Sequence, residues 1–253
     1  MAVPLHVILL LSLASLFAGT VDAIAGGGGL VTVPALLAAG LNPLTALGTN
    51  KGQSVWGSAS ALFAFWRADR VDRKQARYAF PLGFVGSLAG VTAVQHLSNT
   101  ALKPIVLGLL IGASVLLVVR KPVREAEAPG SARWWAIGLL ALVVGAYDGF
   151  FGPGTGTFLI VGFVALCGRS LVHASADAKV VNFAANLAAF LMYARAGLVI
   201  WEISLPMAAA QLAGGMLGAH FAIKGGSRVV RILVLLVSSV LIAKLAIGLF
   251  SAG

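Results

Sequence analysis

The sequence predicts an all-α polytopic membrane protein with eight long transmembrane helices and two short helical segments, arranged as two inverted-topology repeats. Three observations carry this reading. The 253 residues are 59% hydrophobic and 10% charged, with a mean hydropathy of +0.97. That is far more apolar and less charged than a soluble domain, in which about a quarter of the residues carry charge. The apolar residues also fall in runs of membrane length separated by short basic gaps, and the two halves carry matching motifs.

The 18 Lys and Arg residues outnumber the 8 Asp and Glu residues. In a soluble chain this balance would point to nucleic acid. Here the cations sit between apolar segments, which is the positive-inside pattern of a protein whose partner is the lipid bilayer. The single cysteine, Cys167, lies in an apolar run and excludes an intrachain disulfide.

The first apolar run, from about Pro4, lacks a basic leader and continues into a glycine stretch, so it reads as a retained helix and not a cleaved signal. Segments long enough to cross about 30 Å of hydrocarbon fall near residues 4 to 24, 45 to 66, 78 to 97, 103 to 119, 134 to 151, 176 to 194, 203 to 222 and 229 to 250. Two pieces of about a dozen residues, near 29 to 40 and 155 to 168, are too short for an ordinary crossing and read as short crossings, half helices or re-entrant segments.

Charge placement sets the expected orientation. The gap 67 to 77 holds Arg67, Arg70, Arg73, Lys74 and Arg77. The gap 120 to 133 holds Arg120, Lys121, Arg124 and Arg133, and Lys224, Arg228 and Arg231 cluster further on. All three gaps fall inside if both short pieces count as crossings, with the N-terminus, residues 195 to 202 and the C-terminus outside. The whole chain, 1 to 253, then reads as one transmembrane domain, with a repeat at about 5 to 120, a cytoplasmic linker at 121 to 132 and a second repeat at about 133 to 250.

The repeats are legible in "AGTVDAIAGGGG" and "VGAYDGFFGPGT". These align Gly19 with Gly145, Asp22 with Asp148, Gly26 with Gly152 and Gly28 with Gly154. Lys51 falls opposite Lys179, Pro81 and Gly90 opposite Pro206 and Gly215, and Lys103 opposite Arg228. An odd number of segments per half makes the halves antiparallel in the membrane.

The runs at 26 to 29 (Gly26, Gly27, Gly28, Gly29) and 152 to 156 (Gly152, Pro153, Gly154, Thr155, Gly156) should break their helices, because each glycine costs roughly 1 kcal/mol relative to alanine and proline removes a donor. Broken backbone at membrane depth must face protein or a wet cavity. The short helices beginning near Leu30 and Thr155 would then aim N-termini, which favour anions, at a central site. Gly19, Gly86, Gly90, Gly214, Gly215 and Gly218 read instead as close-packing residues.

Asp22 and Asp148 each need an interior partner. They read either as carboxylates capping the broken backbone or as proton-coupling acids. Lys51 and Lys179 read either as their ion-pair partners or as ligands of a substrate anion, and Asn50, Gln53, Ser54, Asn182 and Asn186 supply polar groups around them. Asp177 is expected to pair locally with Lys179, two residues on. Trp134, Trp135 and Trp201 sit at helix ends as interfacial anchors, and Lys244 is expected to snorkel. No metal-ligand spacing, nucleotide loop or nucleophile constellation occurs, so neither a cofactor nor enzymatic chemistry is indicated.

"DAIAGGGGLVTVPALLAAGLNPLTALGTNK", "YDGFFGPGTGTFLIVGFVALCG" and "AKVVNFAANLAAF" together resemble the paired signatures of the TauE/SafE family of sulfite exporters and anion permeases, over about residues 10 to 250. The resemblance implies a secondary transporter of the bacterial cytoplasmic membrane that moves a small anion, such as sulfite or a sulfonate, by alternating access. A channel-like pore and a membrane-embedded enzyme are the alternatives. A coupling proton or other ion and a homo-oligomeric state are left open. The topology predicts that a cysteine placed at Gln75 escapes a membrane-impermeant thiol reagent added outside intact cells, and labelling there would contradict it.

Overall fold

The computed structural model describes residues 3–119 and 134–250. The expected linker at 121–132 and the C-terminus lie outside them, as do the side chains of Arg228, Arg231 and Lys244. The described residues form nine helices and no strand. They are α1 Leu5–Ala25, α2 Gly29–Ala38, α3 Pro43–Arg67, α4 Arg73–Gln95, α5 Asn99–Val119, α6 Trp134–Phe150, α7 Thr155–Cys167, α8 Leu171–Arg195 and α9 Trp201–Phe250.

Caps explain where several helices begin. The Asn42 side chain accepts the Thr45 N–H ahead of Pro43, which fills the first position of α3. Asp72 accepts the N–H groups of Lys74 and Gln75, so Arg73, Lys74 and Arg77 lie inside α4 and not in a gap. Ser170 caps α8 at the His173 N–H, five residues earlier than apolar character alone indicates.

One expectation is corrected. Instead of two helices separated at residues 224 to 231, a single helix runs from Trp201 to Phe250. Gly225, Gly226 and Ser227 lower helix propensity but keep their backbone donors. Without a proline the hydrogen-bond ladder can run through them.

By length and composition α1 and α4 are apolar enough to cross a bilayer. α3 and α8, at 25 residues each, are as long but carry the buried polar side chains Asn50, Lys51, Gln53, Asp177, Lys179, Asn182 and Asn186. These side chains lower the hydropathy of both helices, which pack directly against each other.

Apolar clusters fix the two ends of the bundle. Leu11, Leu36, Ala46, Ile203 and Met207 share one cluster, so the start of α1, the end of α2 and the starts of α3 and α9 lie together. At the opposite end Phe65, Val71, Ile137, Phe163, Cys167 and Leu171 join the end of α3, the starts of α6 and α8 and the end of α7. Each short helix therefore returns the chain to the end from which the preceding helix set out. α2 turns back after α1, and α7 turns back after α6 from the other end.

Small residues bring the long helices into contact. A Cβ at Gly86 would lie 2.2 Å from the Leu142 carbonyl oxygen, and one at Gly214 would lie 2.2 Å from that of Leu16, so α4 meets α6 and α9 meets α1 backbone to backbone. Gly214→Ala is expected to lower thermal stability in detergent by about 1–3 kcal/mol through overpacking. Gly108→Ala, where a Cβ meets nothing within 4 Å, is expected to leave stability unchanged or slightly raised.

Candidate functional site

The two breaks meet in the interior. Gly26 ends α1 at φ 72° and Gly27 follows at φ 101°, while Gly152 and Gly154 hold φ 98° and 88° between α6 and α7. A Cβ on Gly26 would lie 2.2 Å from the Gly156 carbonyl carbon, so both the turn and the approach of α7 require glycine there. The second break is tied by the Tyr147 hydroxyl, which donates to the Pro153 carbonyl at 2.6 Å, and by the Thr155 hydroxyl, which donates to the Gly152 carbonyl at 2.6 Å. The Thr157 hydroxyl donates to the Ala25 carbonyl at 2.9 Å, binding α7 to the end of α1.

Beside the breaks lie two ion pairs, and each crosses from one half of the sequence to the other. Lys51 Nζ donates to Asp148 Oδ2 at 2.7 Å and to Asn186 Oδ1 at 3.0 Å. Lys179 Nζ donates to Asp22 Oδ2 at 2.5 Å and to Asn182 Oδ1 at 3.5 Å. The other Asp22 oxygen accepts the backbone N–H groups of Gly27 at 3.1 Å and Gly28 at 3.2 Å. Asp22 thus both caps broken backbone and neutralises a lysine. Two cations and two anions leave the centre formally neutral.

The pairs border a small polar cavity of about 20 Å³, room for about one water molecule. Of the expected residues, Asp22, Gly27, Gly29, Asn50, Lys51, Asp148, Gly152, Asn182 and Asn186 line it, together with Ser54. Gly26, Gly28, Pro153, Gly154 and Thr155 shape the breaks from behind. Gln53 lies beyond Asn50, whose Oδ1 accepts the Gln53 amide N–H at 2.9 Å and the Thr32 hydroxyl at 2.6 Å. Lys179 does not line the cavity, and its ammonium is taken up by Asp22, which does.

Asp177 does not pair with Lys179. Positions two apart point to different sides of a helix, and Asp177 instead accepts the Asp72 N–H at 2.8 Å and faces Arg169 at 3.5 Å. Arg169 also bonds Asp72, joining the α3–α4 turn to the start of α8. His173 is held by Ser170, with Nδ1 2.9 Å from its hydroxyl, and takes no part in the site.

Gly156, the last residue of the expected break at 152 to 156, also lines the cavity, and sequence reasoning missed Gln211, which lines it too. Gln211 was findable. It is a lone amide in the apolar stretch "MAAAQLAGGMLG", and an intramembrane polar residue points inward by default. Among the described residues no group of His, Cys, Asp and Glu side chains is arranged to hold a metal.

The family described as Sulfite exporter TauE/SafE matches residues 11–245. The chain belongs to the TauE/SafE family. It is 37% identical over 232 residues to "Probable membrane transporter protein YfcA" of Escherichia coli K12, covering 91% of this chain and 86% of that protein. It is 34% identical over 241 residues to "Probable membrane transporter protein ORF9" of a Sinorhizobium species, covering 95% and 92%. A Haemophilus influenzae protein named "Probable membrane transporter protein" is 35% identical over 229 residues, 90% of each chain. No solved structure matches the chain. The all-helical fold fits a membrane protein, and family and relatives point to transport and not to catalysis.

The crossed pairing sets a test. Lys51→Gln strands the Asp148 carboxylate, which is 2% exposed, and is expected to cost about 3–5 kcal/mol. Lys51→Gln combined with Asp148→Asn is expected to recover most of that stability in thermal denaturation, whereas Lys51→Gln combined with Asp22→Asn is not.

Proposed function

We propose that this TauE/SafE protein is a secondary transporter that carries a small anion, of the sulfite or sulfonate class, by alternating access between two inverted repeats in the bacterial cytoplasmic membrane. The observation that carries the proposal is the central cavity, where both broken helices and both crossed lysine–aspartate pairs converge. An oxyanion needs convergent N–H donors and cations, and these residues supply ammonium groups, side-chain amides and the helix-start N–H groups of Gly27 and Gly28, which Asp22 holds. The binding residues are Asp22, Gly27, Gly29, Asn50, Lys51, Asp148, Asn182, Lys179 and Asn186, with Gly26, Gly28, Gln53, Gly152, Pro153, Gly154 and Thr155 holding them in place.

Support for the inverted repeat comes from the pairing itself. A two-fold relation that exchanges the halves turns Lys51 with Asp148 into Lys179 with Asp22, and α2 returning to one end into α7 returning to the other. Support for alternating access comes from size. A stationary pore needs a continuous polar path, whereas about 20 Å³ admits water and not an oxyanion. Separation of the halves would open this space, and the backbone-to-backbone contacts along α1 with α9 and α4 with α6 are suited to move as rigid pairs.

Thermal-shift titration of the purified protein with sulfite, methanesulfonate, acetate and phosphate tests the substrate class. Stabilisation by sulfite or methanesulfonate at concentrations where acetate and phosphate do nothing is the expected result. Saturating uptake and counter-exchange in proteoliposomes should follow for the same anion. Stabilisation by carboxylates alone would move the substrate out of the organosulfur class.

A further inference from the structure

The two crossed pairs are alike in the sequence but not in the structure, and the difference assigns them separate roles. The Lys51–Asp148 pair is sealed, each side chain being 2% exposed. In the other pair Lys179 is fully buried while Asp22 is 18% exposed. The breaks differ as well. Gly27 and Gly28 both present N–H groups to Asp22 Oδ1. The position aligned with Gly27 in the second half is Pro153, which has no N–H to present.

Asp22 therefore occupies a complete oxyanion site. One oxygen takes two backbone N–H groups at a helix start and the other takes a buried ammonium, the donor set that a carboxylate, sulfite or sulfonate group recognises. We propose that the Asp22 carboxylate is a tethered occupant of the substrate's anion site, and that the substrate displaces it as Asp22 takes up a proton. The proposal rests on the reading of the cavity as an anion site and names its coupling ion.

The charge balance is explicit. Before exchange Lys179 and the two glycine N–H groups hold the Asp22 carboxylate. Afterwards Asp22 is a neutral carboxylic acid, and the same donors hold a monovalent anion. One proton enters with one monoanion from the same side and both leave on the other, so the loaded and empty centres are equally neutral. A buried site that took the anion alone would be left with an uncompensated charge. The charged groups facing Asp22 are Lys179 from α8 and, across the cavity, Lys51 from α3 and Asp148 from α6. Elsewhere on the packed elements, α2 carries no ionisable side chain, α7 carries only Cys167 at its far end, and Asp177 and His173 are engaged with Asp72, Arg169 and Ser170. His6, Arg67, Glu202, His220 and Lys224 are exposed.

The test has two arms on the purified full-length protein. The first uses no ligand: acid titration followed by infrared difference spectroscopy of the protonated carboxyl band. All 8 Asp and Glu side chains contribute to this band on acidification, so the readout is the component missing from each variant: Asp22→Asn is expected to lose a component that Asp148→Asn retains. An Asp22→Asn spectrum that keeps every component of the unsubstituted protein overturns the proposal. Should Asp22→Asn fail to fold, Asp22→Glu replaces it and must shift the titration midpoint; an unchanged midpoint overturns the proposal equally. The second arm adds methanesulfonate, the anion of a strong acid, so any proton taken up on binding goes to the protein. Uptake of one proton per anion is expected, with affinity falling about tenfold per pH unit and losing that dependence in Asp22→Asn. Binding without proton uptake refutes the exchange. If neither methanesulfonate nor sulfite binds, the anion reading itself fails, while the first arm still reports whether Asp22 is the carboxylate that titrates.

Discussion

An ammonium and a carboxylate facing each other in the buried interior of a helix bundle constrain everything around them. Neither Lys51 nor Lys179 could be held alone at that depth, and neither could Asp148. Because each lysine finds its carboxylate in the other half of the sequence, with separations of 2.7 and 2.5 Å, the halves are locked face to face. The breaks must then meet as well, and only glycine allows Gly26 and Gly156 to approach as they do. The close backbone contacts of α1 with α9 and of α4 with α6 complete two packed units around α3 and α8.

The same interaction underlies the proposed chemistry: on that reading, an anion that replaced a carboxylate would inherit its donors. The amides of Asn182 and Asn186 accept from the same ammonium groups, so the lysines keep hydrogen-bond partners when a carboxylate moves.

Much of this was legible in the sequence because the signals were strong and local. Four successive glycines after Asp22, and "GPGT" after Asp148, announce breaks whatever the tertiary context, and α2 and α7 begin within a residue of the expected starts. The partners of the lysines were not legible. Asp22 and Asp148 are equivalent candidates in one dimension, and the choice depends on which helices face each other across the bundle. Gln211 was missed because it sits far from the motifs in sequence, and Asp177 was misassigned because nearness along a helix was taken for nearness in space. The boundary at residues 224 to 231 failed for a different reason: cations and glycines mark a gap in hydropathy but need not interrupt a helix.

The account's central claim is that a small oxyanion binds at the first break, on the donors that Asp22 holds in the empty protein. Selenate and selenite are heavier analogues of sulfur oxyanions, so anomalous scattering from crystals grown with either ion locates the bound anion directly. The account predicts a selenium peak within hydrogen-bond reach of Lys179 Nζ and of the Gly27 and Gly28 N–H groups, with the Asp22 side chain turned away. A peak elsewhere in the bundle, with Asp22 still bonded to Lys179, would contradict it.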